Sequence, residues 1–151
     1  MPIATSSDII DLSSENQTEE FANKILKKLK LGDVVFLYGE MGVGKTTFVR
    51  YLINGFLKKN KLKQIEVTSP TFNLLNEYQI NQTKINHYDL FRLKSIDELK
   101  NLDLFEDNDS AITIIEWPQI IKEKPEKLIE LNFEYAENHK NRFVQIKGLN
   151  L

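Results

Sequence analysis

The chain has 151 residues, 41% hydrophobic and 28% charged, with a net charge of −2. That is the size and balance of one soluble domain, residues 1–151, able to bury a sizeable core. The absence of cysteine excludes disulfides, thiolate catalysis and cysteine-based metal sites, and His87 and His139 alone do not make a histidine-rich one. No apolar run reaches the roughly 20 residues of a membrane span, and Met1 to Asp11 lacks the basic flank and apolar core of a signal peptide. A cytoplasmic location is the expectation.

In chain order, Ser14-Glu15-Asn16-Gln17 fits a capping box. Phe21, Ala22, Ile25, Leu26 and Leu29 follow at helical spacing and predict a helix from about Asn16 to Leu29, broken by Gly32-Asp33. Val34 to Tyr38 is an apolar run rich in β-formers, the pattern of a strand buried on both faces. Thr46 to Lys58 carries Phe48, Val49, Leu52, Ile53 and Phe56 on one side, which predicts a helix packing back on that strand. Ile65 to Thr68 reads as a short strand stopped by Ser69-Pro70. Phe72 to Ile80 and Lys84 to Tyr88 read as strands around the turn Asn81-Gln82-Thr83. Ser95 to Glu98 reads as a second capping box opening a helix near Leu99 to Phe105. Ala111 to Ile115 is another apolar strand, ended by Glu116-Trp117-Pro118. Leu128 to Tyr135 and Arg142 to Lys147 alternate apolar and polar around a turn, which predicts a hairpin with one wet face. The mixture predicts a layered α/β domain with parallel core strands and antiparallel additions.

The charge is unevenly spread. Residues 24–63 hold ten basic and two acidic residues, and residues 97–137 hold twelve acidic and four basic. This is the pattern either of two solvated faces or of a dipolar surface that docks a charged partner. With three arginines in an acidic chain, the footprint for gripping nucleic acid alone is poor.

Between the second predicted helix and the strand before it lies Gly39-Glu40-Met41-Gly42-Val43-Gly44-Lys45-Thr46, a P-loop pattern. Its glycines let successive N–H groups aim at one anion, and the helix beginning at Thr46 adds its positive end. The cradle predicted to hold the phosphates runs through Met41, Gly42, Val43, Gly44, Lys45, Thr46 and Thr47. Lys45 is expected to reach the β- and γ-phosphates, and the Thr46 hydroxyl to ligate Mg²⁺. The fold class is therefore α/β and P-loop NTPase-like: a mixed, mostly parallel central sheet flanked by helices, with an antiparallel hairpin added.

A P-loop site also needs an acid near the metal, usually at the end of a neighbouring strand. Asp89 and Glu116 each end a predicted strand. Either can bind Mg²⁺, hold a metal water or orient the attacking water, and the residues alone do not divide those roles. No Asn-Lys-x-Asp motif for guanine is present, so ATP is the expected nucleotide. A small-metabolite kinase, which needs an arginine-bearing lid, is underprovided, since only Arg92 and Arg142 lie outside the P-loop helix. A nucleotide-dependent binding module without catalysis is the other rival.

Val67-Thr68-Ser69-Pro70-Thr71-Phe72, His87-Tyr88-Asp89-Leu90-Phe91-Arg92-Leu93 and Ile115-Glu116-Trp117-Pro118 follow the P-loop in that order, and a helix bearing Thr18 precedes it. From Ser13 to Lys147 the chain resembles the TsaE family, the small ATPase of bacterial tRNA threonylcarbamoyladenosine synthesis. The resemblance implies Mg²⁺-dependent ATP hydrolysis that resets a partner pair, TsaB with TsaD, which modifies the adenosine beside the anticodon. Transfer RNA is then met only indirectly, through that complex. By position the resemblance implies that Lys45 and Thr46 are the P-loop lysine and metal ligand, Glu116 a second Mg²⁺ ligand and Asp89 an essential acid. Thr18 and Arg142 match positions near the nucleotide. The departures, Glu40, Met41 and Val43 in the loop and Phe91 where the family often has tyrosine, leave a backbone cradle intact. Ser69 to Phe72 sits where a loop would sense the γ-phosphate. Trp117 is either core or an exposed anchor or lid, and His87 is expected to be a satisfied core histidine.

Overall fold

Ser14 opens the first helix by meeting the hydrogen-bonding needs of its free end. Its hydroxyl accepts from the Gln17 N–H, and the Gln17 side chain accepts in return from the Ser14 N–H. The computed structural model describes residues 9–70, 74–102, 104–105 and 108–151. Within them the order is β1 (Ile9–Asp11), α1 (Glu15–Lys28), β2 (Val34–Tyr38), α2 (Lys45–Lys59), β3 (Leu75–Ile80) and β4 (Thr83–Asp89). Then come α3 (Ile96–Lys100), β5 (Ala111–Glu116), β6 (Leu128–Tyr135) and β7 (Arg142–Lys147), with single 3-10 turns at Asn108–Ser110 and Pro118–Ile120.

The strands form one sheet in the order β1-β7-β6-β2-β5-β4-β3. β2 pairs in parallel with both β5 and β6, and β4 pairs in parallel with β5. The outer pairings, β1 with β7, β6 with β7 and β3 with β4, are antiparallel. The expected architecture holds: a parallel centre with antiparallel additions. The predicted hairpin is not an appendage, because its first strand is also a neighbour of β2.

Strand alternation divides the core in two. Val35, Leu37, Ile112, Ile114, Ile129 and Leu131 face α1 and α2, where they meet Phe21, Ile25, Phe48, Leu52 and Ile53. Val34, Phe36, Tyr88 and Ile115 face the other way, toward Leu90, Leu104 and Ile121. Phe48 stands at the centre of the first cluster, its ring 5.4 Å from Phe21 and 5.7 Å from Phe133.

Three expectations are corrected. Residues 65–68 form no strand. The Asn54 side chain takes both the N–H and the C=O of Ile65, so that backbone is satisfied by α2 rather than by a sheet. The strand expected from Phe72 begins at Leu75, and residues 71–73 lie outside the described ones. The cap expected at Ser95 stands, its hydroxyl accepting the Glu98 N–H, but the helix behind it is Ile96–Lys100 rather than one near Leu99 to Phe105. The short β1, which carries no periodic signal, was not anticipated; it closes the sheet edge against β7.

Phe48→Ala removes a fully buried ring from between α1, α2 and β6. It should lower unfolding free energy by about 3–5 kcal/mol, read from urea denaturation.

Candidate functional site

Parallel pairing puts the C-terminal ends of β2, β4 and β5 along one rim of the sheet, where α2 begins. Asp89 and Glu116 are register partners in β4 and β5, and Leu37 is opposite Glu116 in β2. Alternation then gives Ile85, His87 and Asp89 one face of β4, and Ile112, Ile114 and Glu116 the same face of β5. That face is the one covered by α2.

The loop from β2 to α2 is shaped by its glycines. A side chain at Gly39 would place a Cβ 2.7 Å from the Phe133 carbonyl and 2.8 Å from Val43, at a φ of +143°. Gly44 caps α2 at a φ of 117°, in the left-handed region that a β-carbon disfavours. A Cβ there would lie 3.6 Å from the Arg142 guanidinium. The loop is therefore closed on one side by β6 and on another by the start of β7.

Lys45, only 4% exposed, folds back so that its Nζ donates to the Gly39 carbonyl. The same Nζ lies 3.7 Å from the centre of the Trp117 ring. Burial pushes its pKa down, while the carboxylates of Glu116 and Asp89 pull it up. Trp117 reaches this place from a left-handed backbone, φ 57° and ψ 57°, immediately before Pro118. A bulky residue there is strained, and the residue before proline is restricted further. Its indole also packs against Phe91, the rings tilted by 52° with centroids 4.8 Å apart.

The polar centre lies beside the lysine. Thr46 Oγ1 is 2.6 Å from Ser69 Oγ, and each hydroxyl is 3.5 Å from an oxygen of Glu116. Glu116 Oε2 is also 2.7 Å from His87 Nε2, both side chains being buried. Asp89 accepts the Phe91 N–H at 3.0 Å. Burial raises the Asp89 pKa, the Phe91 hydrogen bond opposes this, and the neighbouring Glu116 adds to the rise.

These groups surround a cavity of about 370 Å³. Of the residues expected at the site, Met41, Gly42, Gly44, Lys45, Thr46, Thr47, Asp89, Glu116 and Arg142 line it. Val43 does not: its side chain is buried in the core beneath the loop. Nor does Thr18, whose hydroxyl donates to the Ser14 carbonyl inside α1. Ser69 and Pro70 line the cavity, while Thr71 and Phe72 of that expected loop lie outside the described residues. Leu74, Phe91, Arg92 and Trp117 also line it. Of these Arg92 was missed as a site residue, although its position three residues past Asp89, across a turn, was a usable signal.

The donor set suits a hard cation: a hydroxyl and a carboxylate, both oxygen. Among the described residues no group of three or more His, Cys, Asp or Glu can hold a metal alone. A divalent ion at Thr46 and Glu116 would thus depend on phosphate oxygens and water, as Mg²⁺ sites commonly do. Lys45, Arg92 and Arg142 supply positive charge around the same cavity. Among the described residues no helix is long and apolar enough to cross a membrane.

The fold and the strand–loop–helix at its rim define a P-loop-like α/β domain. Its fold is that of Bacillus subtilis YdiB, a solved structure matched with a TM-score of 0.66 at 21% identity over 91% of this chain and 82% of that one. The family model for threonylcarbamoyl adenosine biosynthesis protein TsaE matches residues 12–144. The TsaE protein of Rickettsia conorii is 41% identical over 130 residues, 85% of this chain and 72% of the relative. That of Rickettsia typhi is 40% identical over 140 residues, 92% of this chain and 94% of the relative. That of Aquifex aeolicus is 35% identical over 131 residues, 87% of this chain and 90% of the relative. The chain belongs to the TsaE family of tRNA threonylcarbamoyladenosine biosynthesis.

The raised Asp89 pKa has a consequence for stability. The folded protein holds this proton more tightly than the unfolded chain, so the carboxylate costs stability increasingly as pH rises above the ordinary value of 3.8. Asp89→Asn, which keeps an oxygen for the Phe91 N–H, should raise the melting temperature of the ligand-free protein at pH 7. The gain should shrink toward zero as pH falls to 4, followed by thermal unfolding across that range.

Proposed function

We propose that this chain is a cytoplasmic, Mg²⁺-dependent ATPase that binds the TsaB–TsaD complex and supports its turnover by hydrolysing ATP. Transfer RNA would be met through that complex. The observation that carries the reading is the convergence of Thr46, Ser69 and Glu116 within 2.6–3.5 Å beside Lys45 and the loop.

In this reading the loop's N–H groups and the positive end of α2 receive the phosphates. Lys45 exchanges the Gly39 carbonyl for the β- and γ-phosphate oxygens, and leaves the Trp117 ring in doing so. Thr46 and Glu116 hold Mg²⁺, which when bound offsets negative charge on those oxygens. Asp89, short of solvation and bordering the cavity, orients the attacking water. Arg92 and Arg142 supply further positive charge where the phosphates lie. Thr18, whose hydroxyl donates to the Ser14 carbonyl within α1, keeps its expected place near the nucleotide.

Hydrolysis of ATP should be slow for the protein alone and faster with TsaB–TsaD and tRNA, measured as free phosphate. Glu116→Ala and Lys45→Ala should each lower the stimulated rate on the order of 10²-fold. Phosphate recovered on a small acceptor would make the chain a metabolite kinase. Full activity of the complex with Glu116→Ala, but none with Lys45→Ala, would make it a nucleotide-dependent binding module.

A further inference from the structure

His87 lies in the parallel centre of the sheet, opposite Ile114 in register, with no exposed side-chain surface. Ile85 before it on the same face is plain core. A third apolar side chain at position 87 would suit that packing. An imidazole there must instead find polar partners or lose its hydration without return. It finds one: Nε2 is 2.7 Å from Glu116 Oε2. Nδ1 finds none and is buried.

The ring's hydrogen is assigned from this asymmetry. A carboxylate offers only acceptors, so Nε2 is given the hydrogen and donates it. Among the described residues the ring's hydrogen-bond partner is Glu116.

We propose that His87 is a positioning residue for Glu116, fixing which carboxylate oxygen is free for the cation. Oε2 is held by His87, while Oε1 lies on the Thr46 side, 3.5 Å from Oγ1. The carboxylate thus presents Oε1 toward the Thr46 hydroxyl, while Oε2 faces His87 at 2.7 Å and Ser69 at 3.5 Å. A partner that hydrogen-bonds a metal-ligating carboxylate fixes its orientation, and His87 stands in that relation to Glu116. Its donor comes from the neighbouring strand, so its aim is set by the β4–β5 register and not by a flexible loop. The inference rests on the proposed function, in that it takes Glu116 as the cation's ligand.

Two variants of similar volume separate positioning from packing. His87→Gln keeps an N–H near the place of Nε2; His87→Leu fills the space with no donor. The readout is the Mg²⁺ concentration that half-saturates binding of ATP, followed by Trp117 fluorescence, with binding in EDTA measured alongside. His87→Leu should raise that concentration about 10-fold or more and leave binding in EDTA unchanged. His87→Gln should restore it to near the wild-type value. The inference is overturned if both variants match wild type, or if both are impaired equally. It is also overturned if His87→Leu weakens binding with and without Mg²⁺ alike, which is the mark of a merely structural role. Should His87→Leu fail to fold, His87→Gln decides: a Mg²⁺ requirement raised as far as that of Glu116→Ala overturns the proposal, and a near-wild-type one supports it. Wild-type protein that binds ATP with no dependence on Mg²⁺ would instead sink the proposed function, and this inference with it.

Discussion

The site depends on the parallel pairing of β5 with β4 on one side and β2 on the other. Parallel strands end together, so Leu37 at the mouth of the loop, Asp89 and Glu116 are brought to one rim by backbone hydrogen bonds alone. Pleating then decides which face each acid shares. One residue of slip between β4 and β5 would turn Asp89 and His87 from α2 and bring Tyr88 in their place. That error is expensive here, since both faces of the centre are packed with apolar side chains.

The same centre explains why so many polar groups can be buried at the rim. Lys45, His87 and Glu116 are all buried, and each has a named partner. Lys45 is held by a carbonyl and an aromatic face, neither of which neutralises its charge. Glu116 faces the His87 ring from β4 and the Thr46–Ser69 hydroxyl pair, whose 2.6 Å contact uses one of its two hydrogens. The site is thus arranged as two half-satisfied charges separated by a cavity, suited to a ligand that is anionic on the lysine side and brings a cation to the carboxylate side. Trp117 bridges the halves, touching the lysine while its backbone continues from Glu116. Its left-handed conformation holds strain at the junction between cavity-facing and outward-facing surfaces.

Much of this was legible in the chain. The capping box at Ser14, the apolar run at Val34 and the P-loop carry local signals that need no tertiary context, and they stand where the sequence put them. The misreadings at residues 65–68 and at Ile9 have a common cause, and the side chains of Val43 and Thr18 show the same limit without bearing on their expected places at the site. Residues 65–68 have strand-forming composition, but the Asn54 side chain competes for the backbone of Ile65. Three residues at Ile9 are too short for any period to register, yet pairing with β7 makes them a strand. Val43 and Thr18 share segments with residues that line the cavity, but their side chains turn into the core or toward their own helix.

What the sequence determined by itself is the glycine-rich loop between β2 and α2 and the family, because both reside in contiguous residues whose chemistry is read locally. What only the tertiary structure decided is which distant side chains gather beside that loop. Glu116 meeting Thr46, Ser69 and His87, and Arg142 meeting Gly44, join residues as many as 98 positions apart in the chain. Such meetings follow from strand order and register, which arise from the cooperative burial of two apolar faces and leave no mark in any short stretch. His87 is the clearest case. In the sequence it is a polar residue in a core strand; in the fold its partner among the described residues is the carboxylate on the next strand.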